Sequence, residues 1–215
     1  MADRAEGVYD RPMYGRMGDV AAFVLAGGSS TRMGTDKAFV EFDGSTLLTI
    51  ALGLAGSVAS DVRVVGDRAK FARLAPVVED TYRNCGPLAG IHAALRASDA
   101  SLNLVLAVDM PLVTPELLAY LLERSQSSEA LATVPRLGKG WQPLCAVYRR
   151  GFAEIAEQAL KAGRYKIGDL FGETTICAVE EDELGRAGFS SSMFSNINTA
   201  QELIESRESK LRTEN

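Results

Sequence analysis

Hydrophobic and polar positions change along this chain in short blocks, and the blocks predict strands and helices in turn. The apolar run VAAFVL at 20–25 ends in a glycine pair, which is typical of a buried parallel strand that leads into a loop. Further strands are predicted at 62–65, 76–79, 102–108, 130–134, 144–148 and 174–179. Helical spacing of apolar residues predicts helices at 46–58, 67–74, 87–97, 114–124, 151–162 and 199–208.

Start signals support two of these helices, and the order of the elements predicts the fold. Thr114 is placed to cap a helix that begins at Pro115, and Pro87 stands in a first turn, where its missing N–H costs nothing. Strands that alternate with helices predict an α/β fold, with a doubly wound, mostly parallel, Rossmann-like sheet in three layers, α/β/α. Ligands of such sheets bind beyond the carboxyl ends of the strands, where residues 25–37 and Asp109 are expected.

The composition is that of one globular domain. Of the 215 residues, 47% are hydrophobic and 24% are charged, which argues against disordered, collagen-like and repeat architectures. We predict a mobile N-terminal arm at 1–18, a single domain at 19–209 and a C-terminal tail at 210–215. The net charge of −5 argues against a nucleic-acid partner, because binding a phosphate backbone needs a basic surface.

Cysteine usage and hydropathy indicate where the protein works. The three cysteines, Cys85, Cys145 and Cys177, form no CxxC pair and fit reduced thiols better than disulfides or a zinc site. No segment approaches the roughly eighteen continuous apolar residues of a membrane span, and the first eighteen residues lack the apolar core of a signal peptide. The sequence therefore predicts a cytoplasmic protein with no membrane partner.

The loop LAGGSSTRMGTDK at 25–37 carries the candidate phosphate chemistry. Gly27 and Gly28 would let backbone N–H groups approach a phosphate closely. Arg32 and Lys37 would bring positive charge to a polyanion. The loop matches neither the Walker pattern nor G-x-G-x-x-G, and a strand that runs into a glycine pair is, taken alone, more often only a turn.

Asp109 is the candidate carboxylate for metal-assisted chemistry. In-line transfer of a nucleotidyl group builds negative charge on the leaving pyrophosphate, and Mg²⁺ held by a carboxylate offsets that charge. The alternative is that Asp109 is only an acidic residue in a D-M-P turn. His92, the single histidine, is expected to pack rather than to catalyse, and no Ser-His or Cys-His pairing supports a covalent triad mechanism.

The order of motifs resembles the molybdopterin nucleotidyltransferases and, among them, the molybdenum cofactor guanylyltransferases. The shared pieces run from about Val20 to Leu203 and are LAGG-x-S-x-RMG-x-DK, ED at 79–80, GPLAGI at 86–91, AVDMP at 107–111, QP at 142–143, AGR at 162–164 and NINTAQEL at 196–203. The resemblance implies a Rossmann-like nucleotidyltransferase fold and transfer of GMP from GTP to the phosphate of molybdopterin, with release of pyrophosphate. It also implies Mg²⁺ as the cofactor and molybdoenzymes or their chaperones as candidate protein partners.

The same resemblance implies roles for individual residues. Arg32, Lys37 and Asp109 would be catalytic, and Asp109 would also hold Mg²⁺. Nucleotide binding is implied for Leu25, Ala26, Gly27, Gly28, Lys37, Gly66, Asp80, Gly86, Gly90 and Asp109. Contacts with the second substrate are implied for Gln142, Arg164, Asn196 and Asn198. Lone cations are more commonly solvated, and the N-x-N segment can equally serve only to cap the last helix.

Details of these motifs bear on the alternatives. The guanylyltransferase pattern usually has an asparagine after the second strand, whereas this chain has VVGDR at 64–68, so that Gly66 offers backbone contacts only. AGG in the first loop and DMP at 109–111, in place of the AAG and DQP of cytidylyl relatives, favour GTP over CTP. The alternatives are a cytidylyl- or sugar-1-phosphate nucleotidyltransferase on the same fold, or a non-catalytic protein that delivers nucleotide or cofactor. Lys37 and Asp109 argue against the delivery protein, since binding alone needs no metal carboxylate.

Overall fold

The structure is a computed structural model that describes residues 19–27, 36–172 and 174–196. Its strands are β1 (Val20–Leu25), β2 (Glu41–Phe42), β3 (Ser45–Thr46), β4 (Asp61–Val65), β5 (Val77–Val78), β6 (Leu102–Ala107), β7 (Ala132–Leu137), β8 (Gly140–Trp141), β9 (Cys145–Tyr148) and β10 (Ile176–Glu180). Its α-helices are α1 (Leu47–Val58), α2 (Arg68–Phe71), α3 (Pro87–Arg96), α4 (Pro115–Gln126), α5 (Phe152–Lys161), α6 (Ile167–Leu170) and α7 (Glu181–Arg186). Short 3₁₀ helices span Lys37–Phe39 and Ser191–Phe194.

The main sheet is mostly parallel and confirms the predicted fold class. Within the described residues its order is β10-β7-β9-β6-β1-β4-β5, with β8 paired to β7, and β2 and β3 form a separate hairpin. β1 runs parallel to both β4 and β6, whereas β9 runs antiparallel to β6 and β7. The carboxyl ends of β1, β4, β6 and β7 therefore share one edge of the sheet, called the carboxyl edge below. Because β9 is reversed, its amino end lies at this same edge.

Two apolar layers cover the faces of the sheet. Alternate side chains of β1 enter different cores because successive residues of a strand point to opposite faces. Ala22 and Val24 pack in the core with α1 and α4, and Ala21 and Phe23 pack in the core with α3 and α5. β1 therefore lies buried between both helical layers, which explains why its sequence is apolar throughout rather than alternating.

Most predicted elements are present, with shifted ends. The helix predicted at 67–74 is wrong in length, because α2 ends at Phe71 and the chain turns before Pro76. The strand predicted at 130–134 runs instead over Ala132–Leu137. The β2–β3 hairpin, α6 and α7 were not predicted from the sequence. The predicted helix at 199–208, the arm at 1–18 and the tail at 210–215 lie outside the described residues.

Candidate active site

The candidate site lies where the strand order of the sheet reverses. The chain proceeds from β1 to β4 and β5 on one side and then returns to place β6 on the other side of β1. Leu25 and Ala107 are paired at the carboxyl ends of β1 and β6, and the Val108 N–H donates to the Leu25 carbonyl at 3.1 Å. A crevice at such a reversal is the usual ligand position in open α/β sheets.

Lys37 and Asp109 meet at this reversal. The Lys37 Nζ lies 2.9 Å from the Asp109 Oδ2, and the two side chains are 20% and 17% exposed. Lys37 opens the 3₁₀ helix that follows the glycine-rich loop, and Asp36 caps that helix by accepting the Ala38 N–H at 3.2 Å. The structure therefore brings together a cation and a carboxylate that the sequence analysis had assigned to the same chemistry.

The position of Asp109 is fixed by its neighbours on both sides. β6 precedes it and is buried along its whole length, and Met110, which follows it, is 3% exposed. A turn closes with the Val113 N–H donating to the Met110 carbonyl at 3.4 Å, and Thr114 then caps α4. Met110 anchors the turn in the core, while the Asp109 side chain stays 17% exposed at the carboxyl edge.

The start of the glycine-rich loop rests on the neighbouring strand end. The Ala26 N–H donates to the Val65 carbonyl at 3.0 Å. A Cβ on Gly27 would lie 3.6 Å from the Gly66 Cα, and a Cβ on Gly66 would lie 2.9 Å from the Phe71 ring. Gly66 also donates its N–H to the Val78 carbonyl at 3.0 Å. Close packing thus explains glycine at position 66, and its N–H is already engaged in the sheet.

Three further residues predicted to bind the nucleotide lie between the end of β5 and the first turn of α3. Asp80 is half-buried, and burial raises the pKa of its carboxyl while Arg83 opposes that shift. Gly86 is exposed at the start of α3 with φ of 69°, a conformation that favours glycine. Gly90 is buried, and its Cβ would lie 3.3 Å from the Leu25 side chain. Helix-to-sheet packing accounts for Gly90, whereas Gly86 and Asp80 lie at the carboxyl edge.

The predicted second-substrate residues lie in separate loops. Gln142 precedes β9, where the Leu144 carbonyl accepts the Ala107 N–H at 2.7 Å, so Gln142 lies close in sequence to a backbone contact with the end of β6. Arg164 is exposed in the loop after α5. In that loop a hydrogen bond to Cys85 raises the pKa of Tyr165. Asn196 is exposed and follows the 3₁₀ helix Ser191–Phe194.

Three predicted site residues, Gly28, Arg32 and Asn198, lie outside the described residues. Sequence reasoning also missed two residues that the structure joins to Lys37. Asp36 caps the helix of Lys37, and its Oδ2 accepts the Lys70 Nζ at 2.7 Å. The cap was detectable, since an aspartate just before the first helical residue is a standard start signal. Nothing in the sequence pairs residues 36 and 70.

Two aromatic side chains prove to be packing residues. His92 is 6% exposed, contacts the Tyr82 ring edge-on at 5.3 Å, and has a pKa lowered by burial. This agrees with the expectation that it packs. Trp141 is half-buried and contacts the Phe171 ring edge-on at 5.0 Å. Its ring is thus already engaged in the core on the side of α3 and α5.

The fold and the site define a class of protein, the α/β nucleotidyltransferases. Molybdopterin-guanine dinucleotide biosynthesis protein A from Archaeoglobus fulgidus is a similar solved structure, with a TM-score of 0.77 and 28% identity over 89% of this chain and 99% of that one. The 2-C-methyl-D-erythritol 4-phosphate cytidylyltransferase of Thermus thermophilus shares the fold alone, with a TM-score of 0.63 and 19% identity over 88% of this chain and 98% of that one.

The particular family follows from the sequence. A family model described as the MobA-like NTP transferase domain matches residues 22–175, and the chain belongs to this family. It is 36% identical to a probable molybdenum cofactor guanylyltransferase of Pelotomaculum thermopropionicum over 86% of this chain and 90% of the relative. A relative of the same name from Pyrococcus furiosus is 33% identical, over 77% of this chain and 86% of its own length. The resemblance inferred from the motifs is confirmed, and the chain is a nucleotidyltransferase.

Proposed function

We propose that this enzyme transfers GMP from GTP to the terminal phosphate of molybdopterin and releases pyrophosphate. The names of its relatives support the substrates. The observation that carries the chemistry is the contact of Lys37 with Asp109 at the carboxyl ends of β1 and β6. A cation and a carboxylate side by side at this edge of the sheet can hold a polyanion and its counter-ion.

The residues of the chain have separate tasks in this reaction. A phosphate oxygen of molybdopterin attacks the α-phosphorus of GTP, and the bond from that phosphorus to the bridging oxygen of pyrophosphate breaks. Lys37 stabilises the charge that grows on the leaving group, since a fixed cation acts more strongly in a partly buried site than in water. The start of α3, with Gly86 exposed, adds the positive end of a helix dipole at the same edge.

The donor set at Asp109 fits Mg²⁺ bound together with a nucleotide. Mg²⁺ usually keeps several waters and takes one or two carboxylates plus substrate phosphates. Within the described residues no group of three or more His, Cys, Asp or Glu side chains forms a closed metal cage. Asp109 would hold Mg²⁺, which when bound would supply Lewis-acid stabilisation of phosphate charge. By holding Mg²⁺, Asp109 would keep the phosphate charge close to Lys37.

Gln142 and Arg164 are proposed to receive the acceptor. Gln142 lies in the segment whose Leu144 carbonyl contacts the end of β6, and Arg164 lies in the loop that Tyr165 joins to Cys85. An arginine can hold a phosphate through two parallel hydrogen bonds, and an amide can orient a ring. Both residues thus suit a phosphorylated pterin. Among the described residues, no helix has the length and apolar character to cross a bilayer.

Pyrophosphate release from GTP and molybdopterin in Mg²⁺ tests the proposal. We expect Asp109→Asn to lower kcat by at least about a hundredfold, because a preorganised charge at the reacting centre typically contributes 10²–10³ in rate. The matched control is Asp99→Asn, since Asp99 is fully exposed and pairs only with Arg150 among the described ion pairs. Normal turnover of Asp109→Asn would remove Asp109 from the mechanism.

The same assay separates the sister activities. Titration with the four nucleoside triphosphates should show preference for GTP. Preference for CTP or UTP would keep the fold and the Lys37–Asp109 chemistry but replace the guanylyl assignment. Saturable GTP binding without pyrophosphate release from any acceptor would instead indicate a delivery protein.

A further inference from the structure

The short helix α2 contacts the end of the glycine-rich loop directly, at Asp36 and Phe39. It also lies against Gly66, which packs on Gly27 at the start of the loop. The loop leaves β1 at Ala26 and ends at the 3₁₀ helix Lys37–Phe39. α2 follows β4, whose carboxyl end lies beside that of β1. This places α2 beside the 3₁₀ helix that carries Lys37.

At the start of the loop the contact is through backbone and a ring. The Gly27 and Gly66 backbones pack so closely that a Cβ on Gly27 would lie 3.6 Å from the Gly66 Cα. Phe71 of α2 lies directly against Gly66, where a Cβ would come within 2.9 Å of the ring. Phe71 is 1% exposed, so this surface is a fixed part of the core.

At the end of the loop the contacts are an ion pair and a ring stack. Asp36 accepts the Ala38 N–H through Oδ1 and the Lys70 Nζ, at 2.7 Å, through Oδ2. The hydrogen bond from Lys70 to Asp36 raises the pKa of the Lys70 ammonium group. Phe39 stacks on Phe71 with ring centroids 5.9 Å apart. One carboxylate therefore both starts the helix of Lys37 and joins it to α2.

α2 is itself well anchored. Asp67 caps it by accepting the Ala69 N–H at 2.8 Å. Arg68 donates to the Val77 carbonyl of β5 at 3.0 Å and pairs with Glu79 at 3.1 Å. Because α2 is held to the sheet in this way, its contact with Asp36 can keep the segment that carries Lys37 in one position.

We propose that Lys70 is a positioning residue for Lys37, acting through Asp36, so that α2 sets the geometry with which Lys37 meets a triphosphate. The proposal rests on the proposed function of Lys37. Lys70 acts only indirectly, since its Nζ bonds the carboxylate that caps the helix of Lys37. A lysine side chain that is 50% exposed contributes little to global stability, so its effect on the loop is separable from folding.

Lys70→Met is the direct test. We expect KM for GTP to rise about fivefold, the upper end for an ion pair of this exposure. KM for molybdopterin and the melting temperature should stay unchanged, whereas Lys70→Arg should retain the pair and restore KM for GTP. Arg73→Met is the matched control, because Arg73 is an exposed cation three residues further along the chain. An equal effect from Arg73→Met would show general attraction of the anion and overturn the proposal.

Asp36→Asn separates the pair from the cap, because the asparagine oxygen can still accept the Ala38 N–H. If Lys70 acts through Asp36, then Lys70→Met should add nothing to Asp36→Asn. Additive effects would mean that Lys70 contacts the nucleotide itself and would overturn the proposal.

Hydrogen exchange of peptides covering residues 36–46 gives a reading that does not depend on the substrate. Faster exchange in Lys70→Met than in Lys70→Arg, without nucleotide, supports the anchoring even if GTP is not the substrate. Equal exchange in the two variants would overturn it.

Discussion

At the scale of single residues, the pairing of Lys37 with Asp109 occupies both groups before any ligand binds. The ammonium group lies 2.9 Å from the Asp109 Oδ2, close enough to compete with a metal ion for that oxygen. A metal ion that binds Asp109 alone must therefore compete with Lys37. A triphosphate can resolve the competition, because it offers Lys37 another anion and supplies further oxygen ligands for the metal.

Substitution of Lys37 should therefore have opposite effects on two ligands. In Lys37→Met, we expect tighter binding of Mn²⁺ without nucleotide, because Asp109 loses a competing cation. GTP should bind more weakly, because the triphosphate loses a counter-charge. Titration of Mn²⁺ by electron paramagnetic resonance and of GTP by calorimetry would measure both. Weaker binding of both ligands would mean that Lys37 does not compete for Asp109.

His92 should make stability depend on pH. Its folded pKa is lowered by burial, with Glu157 and Arg96 acting in opposite directions, while an unfolded histidine titrates near 6.5. As the pH falls below about 6.5, the unfolded chain binds more protons than the folded one, so stability falls. Urea unfolding at pH 7.5, 6.5 and 5.5 should show this loss. His92→Phe, which keeps a ring against Tyr82, should show a smaller loss, and parallel curves for the two proteins would contradict the prediction.

At the scale of elements, the packing of α2 under the strand ends should make Gly66 intolerant of a side chain. The Cβ of Gly66→Ala would press on the Phe71 ring, which is buried and stacked on Phe39. We expect a loss of about 1–3 kcal/mol in the free energy of unfolding, as for other overpacked cores. Gly53 in α1 is the control, because nothing lies within 4 Å of its Cβ. Gly53→Ala should stabilise by about 0.5–1 kcal/mol, and equal effects on chemical denaturation would refute this account.

The elements that could be predicted from the sequence are those with a clear start signal or a long apolar pattern. Thr114 and Pro115 predict the start of α4, and the structure has Thr114 as the cap and Pro115 as the first helical residue. α6 and α7 are only four and six residues long, too short for a helical repeat of apolar residues to show. β7 runs on through Pro135, whose carbonyl accepts the Gln142 N–H. Pro135 has no backbone N–H, and the side of β7 on which that N–H would lie faces the turn that leads to β9. The missing donor therefore interrupts no hydrogen bond between β7 and β10.

At the scale of the whole molecule, the sequence predicted the sheet but not the reversal of β9. An apolar run such as CAVY at 145–148 predicts a strand but not whether the strand is parallel or antiparallel to its neighbours. That direction depends on where the chain returns to the sheet. Some parts of the candidate site could likewise be predicted from the sequence, and others could not. Lys37 and Asp109 were predictable, as each follows a strand end, whereas the contact of Asp36 with Lys70 depends on how distant segments fold together.

The central position of β1 also has a consequence for how the chain is made. β1 is synthesised before β4 and β6, the two strands that cover its edges. On the ribosome, both backbone edges of the segment VAAFVL are therefore unpaired until residues 61–65 emerge, and one edge stays unpaired until residues 102–107 emerge. Unpaired apolar strands of this kind readily associate with one another. The strand that later supports the site is thus a segment of the nascent chain that needs shielding during translation.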